Sequence, residues 1–355
     1  MIIADINNFF LYAERKKLIY CEQPRDYKDP DKPNHVMMLV RSLYGTPDAP
    51  KLAAEKAEPM FKASKMKPTV NDPCFYIRRD GDKIALAVKW VDDIALATND
   101  DGLQQEIITE WKKHFDFKFQ FQPKVFLGYT INQDKESMTL NQIDKIEDFL
   151  RATNMDKSHP VRPPAVTNLL TKPDVTRVPT MERNPDYLKA TGKLIWLSQS
   201  RFDCLYAINM CCRRMTSSND DDDASVKRIA RYFKSTPRAG LKFKPTKDVF
   251  QLCAYCDASF ADNKDGKSTG GYFVGMENSQ KDLLSVLIGK CFKQRLIAHS
   301  TLESELYSLV ETVKSVEWCR NFLSELGFQQ KHATNIYTDA LYLSLTDCSL
   351  ISKQK

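Results

Sequence analysis

The chain has 355 residues and no apolar run near the roughly 20 residues that a membrane-spanning helix needs. A helical membrane anchor is therefore not expected. The five histidines, at 35, 114, 159, 299 and 332, form no pair. No Ser-His-Asp set, P-loop or dinucleotide fingerprint stands in the sequence, so the enzyme classes that carry those signatures drop out. Ten cysteines are irregularly spaced, and Cys253-x-x-Cys256 is the one CxxC. It has no second pair, and structural zinc needs four convergent ligands, so it reads as structural. Free thiols with no signal peptide point to a reducing, intracellular compartment. Charge of one sign is also missing: 52 Lys and Arg against 46 Asp and Glu leave +6, too little to identify a nucleic-acid partner. With 42% hydrophobic and 28% charged residues, the composition is globular. It excludes a disordered tail, a collagen-like fibre and a disulfide mini-protein.

Length suggests two or three domains of roughly 100–200 residues each. The chain opens in an apolar strand, Met1-Ile2-Ile3-Ala4-Asp5-Ile6, and stops ten residues after a helix-like opening at Leu341–Leu345. Both ends read as cut. Between Asp72 and Asn99 lies a meander with a turn at Asp80-Gly81. Ile84, Leu86, Val88 and Trp90 fall on one strand face, Ala85, Ala87 and Val91 on the other, and Asp92-Asp93 make a tight acidic turn. Helices are expected over 103–117, 142–153, 186–199 and 202–215, and a strand over Val125–Ile131. A linker near 236–249 precedes a new α/β unit. The acidic run Asp220–Asp223 complements the dipole of the helix it opens. The cations further along that helix, with Arg213 and Arg214, offer a basic face that can also contact phosphate.

Two acidic groups stand out. Asp5 ends one strand, and Asp92-Asp93 occupy a hairpin turn. If those strands are neighbours in one sheet, three carboxylates meet at its rim. Such a set repels itself unless divalent cations lie between the oxygens, and two cations about 4 Å apart serve phosphoryl transfer. The second group is Asp257 and Asp339, each closing a strand, with Glu305 on a long helix from Leu302 to Leu326 capped by Gly327. Apolar positions 302, 306, 309, 313 and 316 mark that helix's expected buried side. Ser300-x-x-Glu303 is a capping box, which gives Glu303 a local job. Glu305 has none. Gly289-Lys290 reads as a turn, and His299, beside the cap, as structural.

These pieces resemble a known family. Trp90-Val91-Asp92-Asp93 resembles the aromatic-x-Asp-Asp motif of reverse transcriptases, and Asp5-Ile6-Asn7-Asn8-Phe9-Phe10 their first catalytic motif. Leu43-Tyr44-Gly45 through Ala49-Pro50, then Asp72-Pro73-Cys74-Phe75-Tyr76 and Phe126-Leu127-Gly128, are similar to copia-type retrotransposon polymerases in the same order. The match continues through Tyr187-Leu188 to Leu197 and Arg228 to Lys234. Asp257-Ala258-Ser259, Ser268-Thr269-Gly270-Gly271, Ser300 to Tyr307 and Ile336 to Asp339 resemble the family's RNase H segment.

The resemblance implies an α+β palm and thumb of a right-hand polymerase over 1–153, without fingers. A helical connection over 154–245 follows, then an α/β RNase H-like domain with a mixed sheet over 246–355, incomplete at its end. It implies RNA-directed DNA synthesis and hybrid cleavage, with Mg²⁺ or Mn²⁺ at Asp5, Asp92, Asp93, Asp257, Glu305 and Asp339. Phe10 matches the gate beside the sugar 2′ position; a core aromatic beside Phe9 is its other reading. Tyr44 and Gly45 would lie by the template and incoming nucleotide. Implied partners are an RNA template, a DNA primer, an RNA–DNA hybrid and dNTPs, with a dimer or other Pol and Gag segments left open. No membrane is implied, and the location would be a cytoplasmic particle or the nucleus. The chain departs from the pattern where Asp48 replaces a Gln, bringing negative charge near the nucleic-acid path. It departs again where Leu52-Ala53-Ala54 replace an aromatic pair and where Trp90 replaces a Tyr. The alternative is a non-catalytic remnant that at most binds nucleic acid.

Overall fold

The computed structural model describes residues 1–165, 184–216, 218–263 and 265–340. It forms two compact units, Met1–Pro123 and Lys124–Lys355. The helix opening expected at Leu341 lies outside the described residues.

The first unit contains β1 (Ile2–Ile6), β2 (Tyr20–Cys21), β3 (Met37–Met38), α1 (Ala49–Ala63), β4 (Lys67–Pro68), β5 (Phe75–Asp80), β6 (Lys83–Trp90), β7 (Asp93–Thr98), α2 (Asp101–Trp111) and β8 (Phe117–Phe121). Six strands form one antiparallel sheet in the order β4-β5-β6-β7-β1-β8. Strand alternation selects the packed face: Ile2, Ala4 and Ile6 share a core with both helices, as do Ala85 and Ala87 of β6. Thus the small face of β6 meets the helices, while Ile84, Leu86 and Val88 stay half-buried. Helix α1 packs through Ala49, Ala53 and Ala57, whose i, i+4 spacing makes a low stripe. Ala53 is fully buried, so the small residue there fits its surroundings. Trp111 is also fully buried, meets Phe61 edge-on, and donates its indole N–H to Ser64 Oγ at 3.1 Å. A buried indole needs such an acceptor.

The second unit contains β9 (Val125–Phe126), β10 (Tyr129–Gln133), β11 (Met138–Asn141), α3 (Ile143–Ala152), α4 (Pro185–Leu197), α5 (Leu205–Cys212), α6 (Asp220–Ser235), β12 (Leu241–Phe243), β13 (Gln251–Ser259), β14 (Thr269–Glu277), β15 (Leu283–Lys293), α7 (Thr301–Glu325) and β16 (Asn335–Tyr337). The strand expected over Val125–Ile131 is instead the hairpin β9–β10. Leu127 and Gly128 both have positive φ, 46° and 79°, and two consecutive left-handed residues reverse the chain. Strand β12, inside the expected linker, pairs with β11.

Helices α3 to α6 enclose a core that includes Phe149, Leu194, Ile229 and Phe233. Arg201 is fully buried there. It holds Asp203 through two bonds of 2.9 and 2.7 Å, bonds Thr236, and lies 4.5 Å from the Phe233 ring centroid. The acidic start of α6 forms a capping box between Asn219 and Asp222, as the dipole reading expects. Its basic face is partly spent. Arg231 donates to the His159 carbonyl at 2.7 Å, and Lys234 to those of Asp156 and Ser158 at 2.6 and 2.7 Å.

Strands β15-β14-β13-β16 form a mixed sheet, with β16 parallel to β13 and the other pairs antiparallel. Helix α7 covers one face: Leu309, Val316 and Cys319 meet Leu252, Ala254 and Cys256. Gly289 is not in a turn but mid-strand in β15, opposite Phe273. A Cβ there would sit 2.8 Å from the Phe202 ring and 2.9 Å from Leu205, so glycine is what lets that segment approach. Cys253 and Cys256, three apart on β13, point to opposite faces. No helix among the described residues is long and apolar enough to cross a membrane.

Candidate active site

In the first unit, β1 lies between β7 and β8. Asp5 is opposite Asp93 on one side and Lys118 on the other. The neighbour condition set by the sequence is therefore met. Val91 and Asp92 connect Trp90 to Asp93, and Val91 takes φ of 56°. A β-branched residue is strained in that region. The Ile6 N–H donates to the Asp92 carbonyl at 3.0 Å, tying the end of β1 to the turn. Burial, then the charges of Asp92 and Asp5, push the Asp93 carboxyl up. Like charges directly opposite one another are destabilising, so the set favours a cation.

Phe10 is 8% exposed and stands edge-on to Tyr44, with ring centroids 4.6 Å apart. Phe10 therefore belongs to the core, one of its two readings, and it supports the exposed Tyr44 ring. Burial, then Asp92 and Asp5, raise the Tyr44 phenol, so Tyr44 lies within the field of the aspartates. Gly45 takes φ of 90°, a conformation that selects glycine. The charge of Asp48 does not stand bare. Arg15, buried along its side chain, reaches it at 2.6 Å. Burial would raise the Asp48 carboxyl, but the hydrogen bond and charge of Arg15 outweigh it and hold it low.

In the second unit, Asp257 sits on β13, Asp339 two residues past β16, and Glu305 on α7. Their carboxylate oxygens lie within 4.8 Å of one another. The Ala258 N–H donates to Asp257 Oδ1 at 2.9 Å and to Glu305 Oε1 at 3.2 Å. Glu305 is buried, and its Oε2 has no hydrogen-bond partner. Burial, then the Asp257 charge, push Glu305 up to about 7. The Ala258 N–H acts against this, and Asp339 adds to it. Three hard oxygens with an orphaned lone pair fit a divalent cation.

The face of α7 differs from the expected stripe. Leu302 and Leu306 are exposed at 44% and 41%. Ser304, Glu305, Ser308 and Thr312 face the sheet together with Leu309 and Val316. The reason is distance. At Gly270 of β14 a Cβ would collide with Ser308 Oγ and lie 2.8 Å from Phe292. Only small residues let the helix settle close enough for Glu305 to meet Asp257. Ser300 Oγ caps α7 by accepting from the Glu303 N–H at 3.1 Å, and Glu303 reaches back to the His299 N–H at 2.7 Å.

Asp257, Glu305 and Asp339 are thus brought together. Asp5, Asp92 and Asp93 share a sheet rim, but their oxygens do not close to the same 4.8 Å. Residue-level reading missed the positioning pair Gly270 and Ser308, and it missed Arg15. The Gly270-Gly271 doublet was the available signal, since glycine inside a strand marks a close approach.

Residues 2–167 match the family of reverse transcriptases, RNA-dependent DNA polymerases. The chain is 29% identical over 337 residues to the retrovirus-related Pol polyprotein from transposon RE2 of Arabidopsis thaliana, covering 94% of this chain and 22% of that protein. It is 29% identical over 346 residues to the corresponding polyprotein of transposon TNT 1-94 of Nicotiana tabacum, covering 95% and 25%. The chain therefore spans about a fifth to a quarter of the length of these two relatives. The foamy viral protease-reverse transcriptase, solved in complex with an RNA/DNA hybrid, is similar in fold, with a TM-score of 0.53, 11% identity, and coverage of 100% of this chain and 40% of that one. With a reverse-transcriptase match over residues 2–167 and Pol relatives aligned along nearly all of its length, the chain is similar to a segment of the copia-type retrotransposon Pol polyproteins.

Proposed function

We propose that the chain carries the palm and thumb of an RNA-directed DNA polymerase over residues 1–153. A connection over 154–245 and an RNase H-like nuclease over 246–355 complete the reading. The observation that carries it is the register of Asp5 against Asp93, which sets aspartates of two distant motifs side by side. The convergence of Asp257, Glu305 and Asp339 supports the nuclease half. Mg²⁺ or Mn²⁺ held by each set would supply an activated oxygen nucleophile and neutralise the leaving oxygen. The chain's own residues do the rest. The β1–β7 pairing fixes the spacing of Asp5 and Asp93, and the Ala258 N–H fixes two carboxylates of the second set together. Phe10 offers an edge to the sugar of an incoming dNTP, and Tyr44 and Gly45 border the template and that incoming nucleotide. The hybrid-bound fold neighbour supports RNA and DNA as partners.

The test is direct. The purified chain is given primed template, dNTPs and Mg²⁺, and separately a labelled RNA–DNA hybrid. Extension lost in Asp92→Asn supports the polymerase, and cleavage lost in Glu305→Gln supports the nuclease. A second reading is a Pol segment that binds nucleic acid without catalysis. The wider spacing of Asp5, Asp92 and Asp93 favours it. Salt-sensitive binding with neither activity would establish that reading.

A further inference from the structure

A cavity of about 770 Å³ opens on the face of the mixed sheet opposite α7. Two aromatic pairs line it. Tyr255 and Tyr337 are stacked, with ring centroids 4.9 Å apart and planes 25° apart. Phe202 and Phe273 lie 6.2 Å apart on the connection side. The tyrosine pair is held in place from below: buried Glu277 accepts from the Tyr337 phenol at 3.2 Å and from Asn335 at 3.0 Å. Tyr255 remains 40% exposed, so the pair is anchored yet open.

Asp257 and Asp339 also line this cavity. Each lies two residues beyond a tyrosine of the stacked pair. On β13, Tyr255 and Asp257 are two apart and so share a face, about 6.6–6.8 Å apart, and the aromatic surface runs up to the carboxylate set at nucleotide scale. Gly271, the cross-strand partner of Asp257, forms part of the floor. Packing does not require its missing side chain: a Cβ there would meet only the Lys290 carbonyl, at 3.6 Å. This contrasts with Gly270 and Gly289, where neighbouring atoms leave no room.

We infer that this groove is a stacking site for a nucleobase, carried on a strand whose phosphate lies at the Asp257–Glu305–Asp339 edge. The ligand class follows from the two ends. Flat aromatic walls accept any base face, with little regard to sequence. A carboxylate set that holds a divalent cation accepts a phosphate. A purely apolar ligand would use the first end and leave the second idle. The phosphate end rests on the nuclease reading of that site, whereas the aromatic end stands on geometry alone.

The experiment uses the full chain with Ca²⁺ and an oligoribonucleotide carrying 2-aminopurine, whose fluorescence is quenched on stacking. Wild type is expected to quench it. Tyr255→Leu should weaken quenching-linked binding about tenfold, the scale of one lost base–aromatic stack. Tyr255→Phe keeps the ring and should bind as wild type. Gly271→Val fills the floor without a clash at its Cβ, so it should fold with an unchanged melting temperature and lose quenching. Binding without quenching, or wild-type quenching in both Tyr255→Leu and Gly271→Val, would overturn the inference. Hybrid cleavage measured in parallel separates the two readings. Groove-dependent quenching without cleavage removes the nuclease and keeps the groove. Normal cleavage with quenching indifferent to these variants removes the groove and keeps the nuclease.

Discussion

In the first unit the three aspartates come from a strand and a hairpin turn that are hydrogen-bonded neighbours. In the second, a helix delivers one carboxylate to two strands that are themselves parallel. The first set is local in space because sheet pairing makes it so, and backbone register fixes its spacing. The second is drawn tighter, but only because a run of small residues lets α7 approach the sheet. A register tolerates changes in side-chain volume beside it. A close helix–sheet contact does not.

Four measurements would break or sharpen that contrast. The largest effect is expected on activity. Glu305→Gln should lower hybrid cleavage by on the order of 10³-fold, with template extension unchanged. A parallel loss of extension would mean that the two sets do not act separately. Next is Gly270→Val, which forces a collision with Ser308 and Phe292. It should destabilise the second unit by about 1–3 kcal/mol in denaturant titration, while hydrogen exchange across β1, β6 and β7 stays as it was.

The third measurement concerns pH. Glu305 is pushed up to about 7, so the fold favours its protonated form. The stability this group contributes is present below its ordinary carboxyl range and is lost as pH rises through about 7. Metal-free Glu305→Gln should therefore melt about 2–5 °C above wild type near pH 8 and lose that advantage near pH 4. Added Mg²⁺ should raise the melting temperature of wild type more than that of the variant. The smallest effect is expected at the first set. Val91→Gly should stabilise the first unit by about 1 kcal/mol, because relief of positive-φ strain exceeds the entropy cost of glycine. Destabilisation in a thermal melt would rule out the turn geometry described for Val91.

Much of this was legible from the residues. Alternation in β6, the acidic turn and Asp5 at a strand end marked the first set. Ser300, Glu303 and Gly327 bounded α7. What escaped notice depends on distance rather than pattern. The expected stripe on α7 holds at Leu309, Val313 and Val316 but not at Leu302 and Leu306, where apolarity does not mark burial. There the sheet selects for size instead, and Ser304, Ser308 and Thr312 go inside while Leu302 and Leu306 go out. The strand over Val125–Ile131 failed because Leu127 takes a left-handed conformation that an aliphatic residue rarely adopts. Gly289 looked like a turn because glycine signals both reversal and close approach, and sequence alone does not distinguish them. The partner of Asp48 lay 33 residues away in Arg15, beyond any local window.

That last pairing bears on how the chain can change over generations. Arg15, whose side chain is 2% exposed, has Asp48 as its counter-charge and Thr46 as a second anchor. Asp48→Gln alone would leave the guanidinium buried without its ion partner, a state that is strongly destabilising. Arg15 replaced alone would leave Asp48 uncompensated beside the Tyr44-Gly45 turn. The two positions are therefore coupled through one ion pair, and a double-mutant cycle should find their effects on stability non-additive.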